Sequence, residues 1–313
     1  MKSAAQIASR LTLRHLRLVA AVCREGSLVR ASQSLNMSQS AVTKALQEIE
    51  ALTGLSMFER TNRGVVPTMF GEALAAHSRL ILSQLDRVAN ELSDLHEGNG
   101  GRVAIGGLLA ASAGLLPQTI AQLSLDRPGM LFRIVEATND VLMSGLMAGE
   151  LDLVIGRLPE VRERADIVQQ VLIDDFGQVV AGADHPLADR GQVTLSDTLQ
   201  FPWILPHPQT TLRRQFEKAF LDERLAPPLP RVEAISLLTT RGLLAATQHL
   251  AVWPTQIARM EAMSGSIVIL PVELPTTRHP IGITTRRDDV LTPATRVFVS
   301  YLEQTAQRML TSK

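Results

Sequence analysis

The stretch from Ser27 to Thr43 limits the fold most, because it has the pattern of two short helices joined by a tight turn. Ser27 and Ser38 stand where each helix would begin, and serine is favoured there because its hydroxyl accepts a backbone N–H. Asn36 and Met37 fall between them and predict the turn. In the second helix, apolar residues recur at three- and four-residue spacing and should face a core: Val42, Ala45, Leu46, Ile49 and Leu52.

The opposite face of that second helix is short, polar and able to form hydrogen bonds. Ser40, Thr43 and Lys44 lie together on it, since residues three and four apart are neighbours on a helix. Gln39, at the N-terminal end, can pair bidentately with adenine, and threonine can contact thymine. The alternative is an ordinary solvated helix face, which is the commoner fate of a lone amphipathic helix. The neighbouring segments favour the first interpretation.

Residues 13–74 resemble the N-terminal winged helix-turn-helix of the LysR-type transcriptional regulators, without a gap. The matching positions are Leu13, Leu16, Ser27, Ala31, Leu35, Gln39, Ser40, Lys44, Met57-Phe58-Glu59-Arg60, Arg63, Thr68 and Gly71. Ser40 stands where the family often has proline, and Thr43 where it often has serine. The resemblance implies a DNA-binding set of Ser38, Gln39, Ser40, Thr43, Lys44, Arg60 and Arg63.

The two arginines belong to a predicted wing over Leu55–Thr68, a hairpin that turns at Asn62–Gly64. Arg63 is expected to reach phosphate or the adjacent minor groove. The alternative for either arginine is an ion pair with Glu59.

Charge is distributed unevenly along the chain. All 313 residues together have a formal net charge of zero. Between Met1 and Thr68, nine basic residues stand against four acidic ones, which gives that segment a net charge of +5. A basic segment on a neutral body is typical of a phosphate-contacting domain.

Met69 to Glu97 reads as one long helix. Its apolar residues follow the alternating three-four spacing of a coiled-coil seam: Leu74, Ile81, Leu85, Val88, Leu92 and Leu95. Pairing with a second copy would bury this stripe and set two recognition helices about one DNA turn apart, on a two-fold-related double-stranded operator. The family resemblance adds a homotetramer and suggests RNA polymerase as a further partner. The run from Gly98 to Gly101 then marks a domain boundary.

Beyond the boundary, strands and helices alternate, which predicts parallel sheets covered by helices. The motifs "GRVAIGGLLAASAGLLP", "GELDLVIGR" and "ADHPLA" resemble the effector-binding region of the same family, which is similar to two-lobed periplasmic binding proteins. The expected fold is therefore α/β, with a winged helix-turn-helix domain (1–68), a linker helix (69–97) and an effector domain (102–313). Its lobes would span 102–173 with 270–313, and 174–269.

Ligands of open α/β sheets sit beyond the carboxyl ends of the strands, so the loops there hold the candidate effector residues. These are Ala110, Ser112, Thr138, Asn139, Arg157 and Trp203. Relatives often have Ser or Thr where Ala110 stands, which weakens that assignment. Arg157 would bind a carboxylate or sugar hydroxyls, or instead pair with Glu160 or another surface acid. Trp203, like Trp253, would stack on a ring or lie in a core.

Other classes of function find little support. The sequence contains no GxGxxG or GxxxxGK phosphate loop, and its seven histidines lack metal-ligand spacing, so no catalytic residue, metal or cofactor is predicted. The alternative that the chain is an architectural DNA-binding protein, which does not respond to small molecules, is not excluded by the sequence.

Cys23, the single cysteine, should be a small core residue rather than a redox sensor. The uncharged stretch 103–125 contains too many Gly, Pro and Gln residues for a spanning helix, and a reducing, cytoplasmic location without a signal peptide is expected.

Overall fold

The computed structural model describes residues 3–61, 64–97, 100–158, 165–287 and 289–311. They fall into two units: Met1–Gly101 with Met143–Leu151, and Arg102–Leu142 with Asp152–Lys313.

The first unit is a winged helix-turn-helix followed by a long helix. Its elements are α1 (Ala4–Arg10), α2 (Leu13–Glu25), α3 (Leu28–Ser34), α4 (Gln39–Thr53), β1 (Phe58–Thr61), β2 (Gly64–Pro67) and α5 (Met69–Glu97). The predicted caps are present: Ser27 Oγ accepts from Arg30 N, and Ser38 Oγ from Ala41 N. The five apolar residues predicted for the inner face of α4 are all buried. Helix α1 was not predicted; Ser3 and Gln6 form its capping box.

The β1–β2 hairpin is fastened to the helices that precede it. Val65 N donates to the Gly26 carbonyl (3.0 Å), and Gly26 ends α2 in the left-handed conformation. Glu50, on α4, accepts from the backbone N–H of Met57 at 2.8 Å. These bonds hold the hairpin in a fixed position against α2 and α4.

Helix α5 has the predicted bounds, and much of its apolar stripe is exposed. The exposed fractions are 43% for Ile81, 40% for Leu85, 54% for Val88 and 64% for Leu92. Leu74 instead packs against the helix-turn-helix core, and the Leu95 side chain lies outside the described set. The segment 143–151 also belongs to this unit: Ser83 Oγ donates to the Gly149 carbonyl.

The second unit contains two five-stranded sheets. The first has the order β4-β3-β5-β12-β6, formed by β3 (Arg102–Gly107), β4 (Leu131–Glu136), β5 (Leu153–Arg157), β6 (Ile167–Asp175) and β12 (His279–Arg286). Its helices are α6 (Leu109–Ser112), α7 (Leu115–Asp126), the start of α8 (Asn139–Met147) and α13 (Pro293–Thr311). Phe298 and Leu302 of α13 are fully buried in its core.

The second sheet has the order β11-β7-β10-β8-β9. Its strands are β7 (Gly177–Gly182), β8 (Trp203–Leu205), β9 (Pro230–Glu233), β10 (Leu250–Pro254) and β11 (Ile267–Ile269). Its helices are α9 (Leu195–Thr198), α10 (Thr211–Asp222), α11 (Leu237–Ala246) and α12 (Thr255–Ala262). The chain passes between the sheets twice, at Phe176 and through the 3-10 helix Pro275–Thr277.

The prediction of parallel sheets is correct for only part of each sheet. Strand β12 runs antiparallel to both β5 and β6, and β7 antiparallel to both β10 and β11. The four strands that flank the two crossings, β6 with β7 and β11 with β12, are the ones that pair antiparallel with their neighbours. The remaining pairs, β3–β4, β3–β5, β8–β9 and β8–β10, are parallel, as the helix–strand alternation predicted.

Candidate nucleic-acid interface and ligand site

The outer face of α4 is polar and exposed. Gln39, Ser40 and Lys44 are exposed, and Ser38 Oγ lies 3.0 Å from Ser40 Oγ. Thr43 is half-buried, and its hydroxyl donates to the Gln39 carbonyl at 3.0 Å, which leaves the hydroxyl oxygen able to accept a hydrogen bond. The described part of this face carries one positive charge and small hydrogen-bonding groups, which suits contact with base edges.

The hairpin beside α4 presents Arg60, which is exposed on β1 next to exposed Glu59. Arg63 and the Asn62 turn position lie outside the described residues. Arg30, which the sequence analysis did not single out, donates to the Glu25 carbonyl, and its Nε lies 4.0 Å from a Glu25 carboxylate oxygen.

Three parallel strands of the first sheet end at one edge, and the predicted ligand loops follow them there. Strands β4, β3 and β5 are neighbours in that order, so the segments 109–112, 138–139 and 157–158, at or just beyond the ends of these strands, share the edge. Ala113 packs against the cluster of buried residues that contains Trp253 and Ile257 of the second sheet's layer. This edge of the first sheet therefore faces the second.

Ser112 has a buried hydroxyl without a hydrogen-bond partner among the described residues. Most buried polar side-chain atoms do have one, so this oxygen is a candidate ligand contact. Thr138 and Asn139 are exposed at the start of α8. A hydrogen bond from Thr138 lowers the pKa of the Asp140 carboxyl. Ala110 departs from its prediction: it is 4% exposed and packs in the core of the first sheet.

Arg157 lies in a buried ion pair rather than open to a ligand. Its Nε and Nη2 donate to Asp175 Oδ2 at 3.1 and 2.6 Å, and its Nη1 donates to Gln215 Oε1 at 3.2 Å. The side chains of Arg157 and Asp175 are 8% and 1% exposed. Of the two interpretations, ion pairing holds, with a buried acid in place of a surface one; Glu160 lies outside the described residues.

The same network joins elements of both sheets. Gln215 Nε2 lies 2.8 Å from His279 Nδ1, and Thr255 N donates to Asp175 Oδ1 at 3.1 Å. Burial raises the pKa of the Asp175 carboxyl, while the Arg157 guanidinium acts in the opposite direction. Sequence analysis missed these partners, because nothing in the local pattern relates Arg157 to residues so distant in the chain.

Trp203 is a core residue, which contradicts its assignment to the ligand site. It is fully buried, its ring centroid lies 4.8 Å from that of Phe216, and its Nε1 donates to the Thr198 carbonyl. Trp253 is 5% exposed and packs in the other core of the second sheet. Both indoles are used to build the second sheet's layers.

Among the described residues, no helix is long and apolar enough to cross a membrane. No group of three or more His, Cys, Asp or Glu side chains in this part of the chain is arranged to hold a metal ion.

A winged helix-turn-helix with a polar outer face, followed by a long helix and a two-sheet α/β domain, defines a class of architecture: a module suited to DNA contact joined to an α/β module of the kind that holds small ligands. Residues 13–72 match the family model for the bacterial regulatory helix-turn-helix protein of the lysR family, and residues 96–307 match the LysR substrate binding domain. The chain belongs to the LysR family, and it is a DNA-binding transcriptional regulator with a substrate-binding domain rather than an enzyme.

Relatives agree with this membership, and solved structures share the fold. The regulator GbpR of Azospirillum brasilense is 32% identical over 295 residues, covering 94% of this chain and 86% of that protein. PcaQ of Agrobacterium fabrum is 30% identical, covering 89% and 90%. The crystal structure of CbnR, a LysR family regulator, superimposes with a TM-score of 0.68 at 18% identity, covering 95% and 99%. A full-length OxyR variant of Pseudomonas aeruginosa gives 0.66 at 24% identity, covering 95% of each chain.

Proposed function

We propose that this regulator reads a two-fold-related operator with the exposed face of α4. Gln39, Ser40 and Thr43 would contact base edges, while Ser38, Lys44, Arg60 and Arg63 would contact phosphates. The observation that carries the proposal is the exposed polar start of α4, fixed by the Ser38 cap. CbnR, which shares the fold, has been solved with its target DNA.

The proposal includes assembly through α5. The exposed stripe from Ile81 to Leu92 would be buried by a second copy, and two copies would place two α4 helices on one operator. Pairing of two such dimers would give the homotetramer, and RNA polymerase would be the partner that this assembly meets at a promoter.

The interface is tested with Gln39→Ala, compared with Gln307→Ala, which removes an exposed glutamine from α13. Binding to the selected operator and to a scrambled duplex is measured at fixed salt. We expect Gln39→Ala to lose about 1–3 kcal/mol of discrimination for each half-site, since one bidentate base contact is worth that much. Unchanged discrimination in Gln39→Ala would remove Gln39 from the reading face.

We also propose that a small-molecule effector binds at the edge where β3, β4 and β5 end. The Ser112 hydroxyl, which has no hydrogen-bond partner in the part of the chain that the structure describes, supports this site, together with the exposed side chains of Thr138 and Asn139 at the same edge. Hydroxyl and amide groups can both donate and accept, so an effector rich in polar groups would suit them. Ala110, Arg157 and Trp203 supply no ligand contact in this proposal.

The effector site is tested by thermal unfolding against a panel of aromatic acids, dicarboxylates, amino acids and sugars. An effector at a hundred times its dissociation constant should add about 2.7 kcal/mol of stability. Ser112→Ala should abolish most of that shift, whereas Ser124→Ala, at an exposed position of α7, should preserve it. A hit whose affinity is equal in both variants would place the effector elsewhere.

A further inference from the structure

The groups around the Asp175 carboxylate are those of an anion-binding site. Here the bound anion is a side chain of the protein itself. One Asp175 oxygen accepts two hydrogen bonds from the Arg157 guanidinium, from Nε and from Nη2. The other oxygen accepts from Thr255 N, in the first turn of α12, and that N–H also points to the Phe176 carbonyl at 2.9 Å. A guanidinium with a backbone donor at a helix start is the chemistry that recognises carboxylates.

The cation in this site is held in place by groups other than Asp175. Arg157 Nη1 donates to Gln215 Oε1 at 3.2 Å and to the Thr277 carbonyl at 3.5 Å. Gln215 is in turn fixed by His279, whose second ring nitrogen contacts the Leu158 carbonyl. Arg157 is therefore oriented by α10, the 3-10 helix and β12. Its guanidinium group would keep this orientation without the Asp175 carboxylate.

We propose that Asp175 is an internal carboxylate ligand that fills a preformed receptor for a small carboxylate and so keeps external carboxylates from reaching Arg157. The site joins the two sheets, since Arg157 and Asp175 end strands of the first sheet, while Gln215 and Thr255 belong to helices packed on the second. The internal ligand thus supplies constitutively the bridge that an external anion would supply on binding. This inference is independent of the effector site proposed at Ser112.

The test removes the Asp175 carboxylate by mutation and adds formate as a replacement anion. Asp175→Ala in the full chain removes the carboxylate and leaves Arg157, Gln215 and Thr255 in place. Its melting temperature is compared in sodium formate and in sodium chloride at equal ionic strength. We expect Asp175→Ala to melt several degrees below the wild type in chloride. Formate should restore much of that loss in a saturable manner, while the wild type responds equally to the two salts.

Two further variants separate a refilled site from a general salt effect. Asp174→Ala removes the neighbouring carboxylate, which pairs with Arg278 at the surface, and should melt alike in both salts. Arg157→Met combined with Asp175→Ala lacks the cation and should lose the formate response. The proposal is overturned if formate fails to stabilise Asp175→Ala beyond chloride, including the case in which that variant folds in neither salt. It is also overturned if the double variant responds to formate as the single one does.

Discussion

At the scale of single residues, the second sheet's core depends on Trp203. Its ring contacts Phe216 and Phe220 with centroids 4.8 and 6.4 Å apart, and none of its surface is exposed. Trp203→Ala should lower the free energy of unfolding by about 3–5 kcal/mol, because it removes apolar contacts and leaves a cavity. Denaturant unfolding measures this, with Leu221→Ala, 61% exposed on α10, as the control. A loss below 1 kcal/mol, roughly the value for surface positions, would contradict the buried placement.

Glycine is required at position 71 because the backbone of Met57 passes close to it, and not because of a turn. A side chain there would begin 2.0 Å from the Met57 carbonyl oxygen, at the point where α5 leaves the hairpin. Gly71→Ala should therefore destabilise the first unit by about 1–3 kcal/mol, since backbone has to shift. Gly191→Ala, which meets nothing within 4 Å, should leave stability nearly unchanged. Thermal unfolding of both variants compares the two sites; equal melting temperatures would contradict the expectation.

Residue roles could be predicted from sequence only where the role is local. The Ser27 and Ser38 caps follow from spacing along one helix, and the structure has them. Arg157 could be placed at the end of its strand, but its partner depends on how two distant chain segments meet. The choice between a core and a ligand contact for Trp203 is likewise decided by which helix covers the strand, and no local pattern encodes that.

At the scale of elements, α4 is proposed to make two kinds of DNA contact, one with base edges and one with phosphates. Lys44 is exposed on its polar face, and a phosphate contact would release about one counterion. Lys44→Ala should therefore weaken operator and scrambled DNA alike and reduce the slope of log K against log salt by about 0.9 for each half-site, or about 1.8 for a dimer on the full operator. Binding titrations at several salt concentrations measure the slope, with Lys218→Ala on α10 as the matched control. An unchanged slope would exclude a phosphate contact by Lys44.

The elements themselves were predictable where period and length agree. Helix α5 has the predicted bounds, because its apolar spacing continues from Leu74 to Leu95 with no Gly or Pro between them, and Gly98 follows its last residue. Strands β6, β7 and β12 were not predicted individually. They include or adjoin polar and proline positions such as Gln169, Gln170 and Pro280, and they complete their sheets in the antiparallel direction. Their pairing depends on where the chain crosses between the two sheets. The alternation of helices and strands in the sequence does not show where these crossings fall.

At the scale of the whole molecule, the exposed apolar stripe of α5 is the surface through which we expect two copies to form a dimer. Val88 and Leu92 are 54% and 64% exposed and lie one turn apart on this stripe. Replacing both with glutamate places charges where a second copy would pack, and each lost apolar contact is worth about 1.5 kcal/mol or more. The dimer dissociation constant should therefore rise by roughly a hundredfold or more.

Sedimentation equilibrium over a range of concentrations measures that constant for the Val88→Glu/Leu92→Glu variant. Glu91→Ala, an exposed polar position on the same helix, serves as the control and should associate as the wild type does. Because a monomer presents one α4, the variant should also bind a half-site and a full two-fold site with nearly equal affinity, whereas the wild type should prefer the full site. A variant that stays dimeric and keeps this preference would show that α5 does not bring the two α4 helices together. Assembly would then depend on the substrate-binding domain.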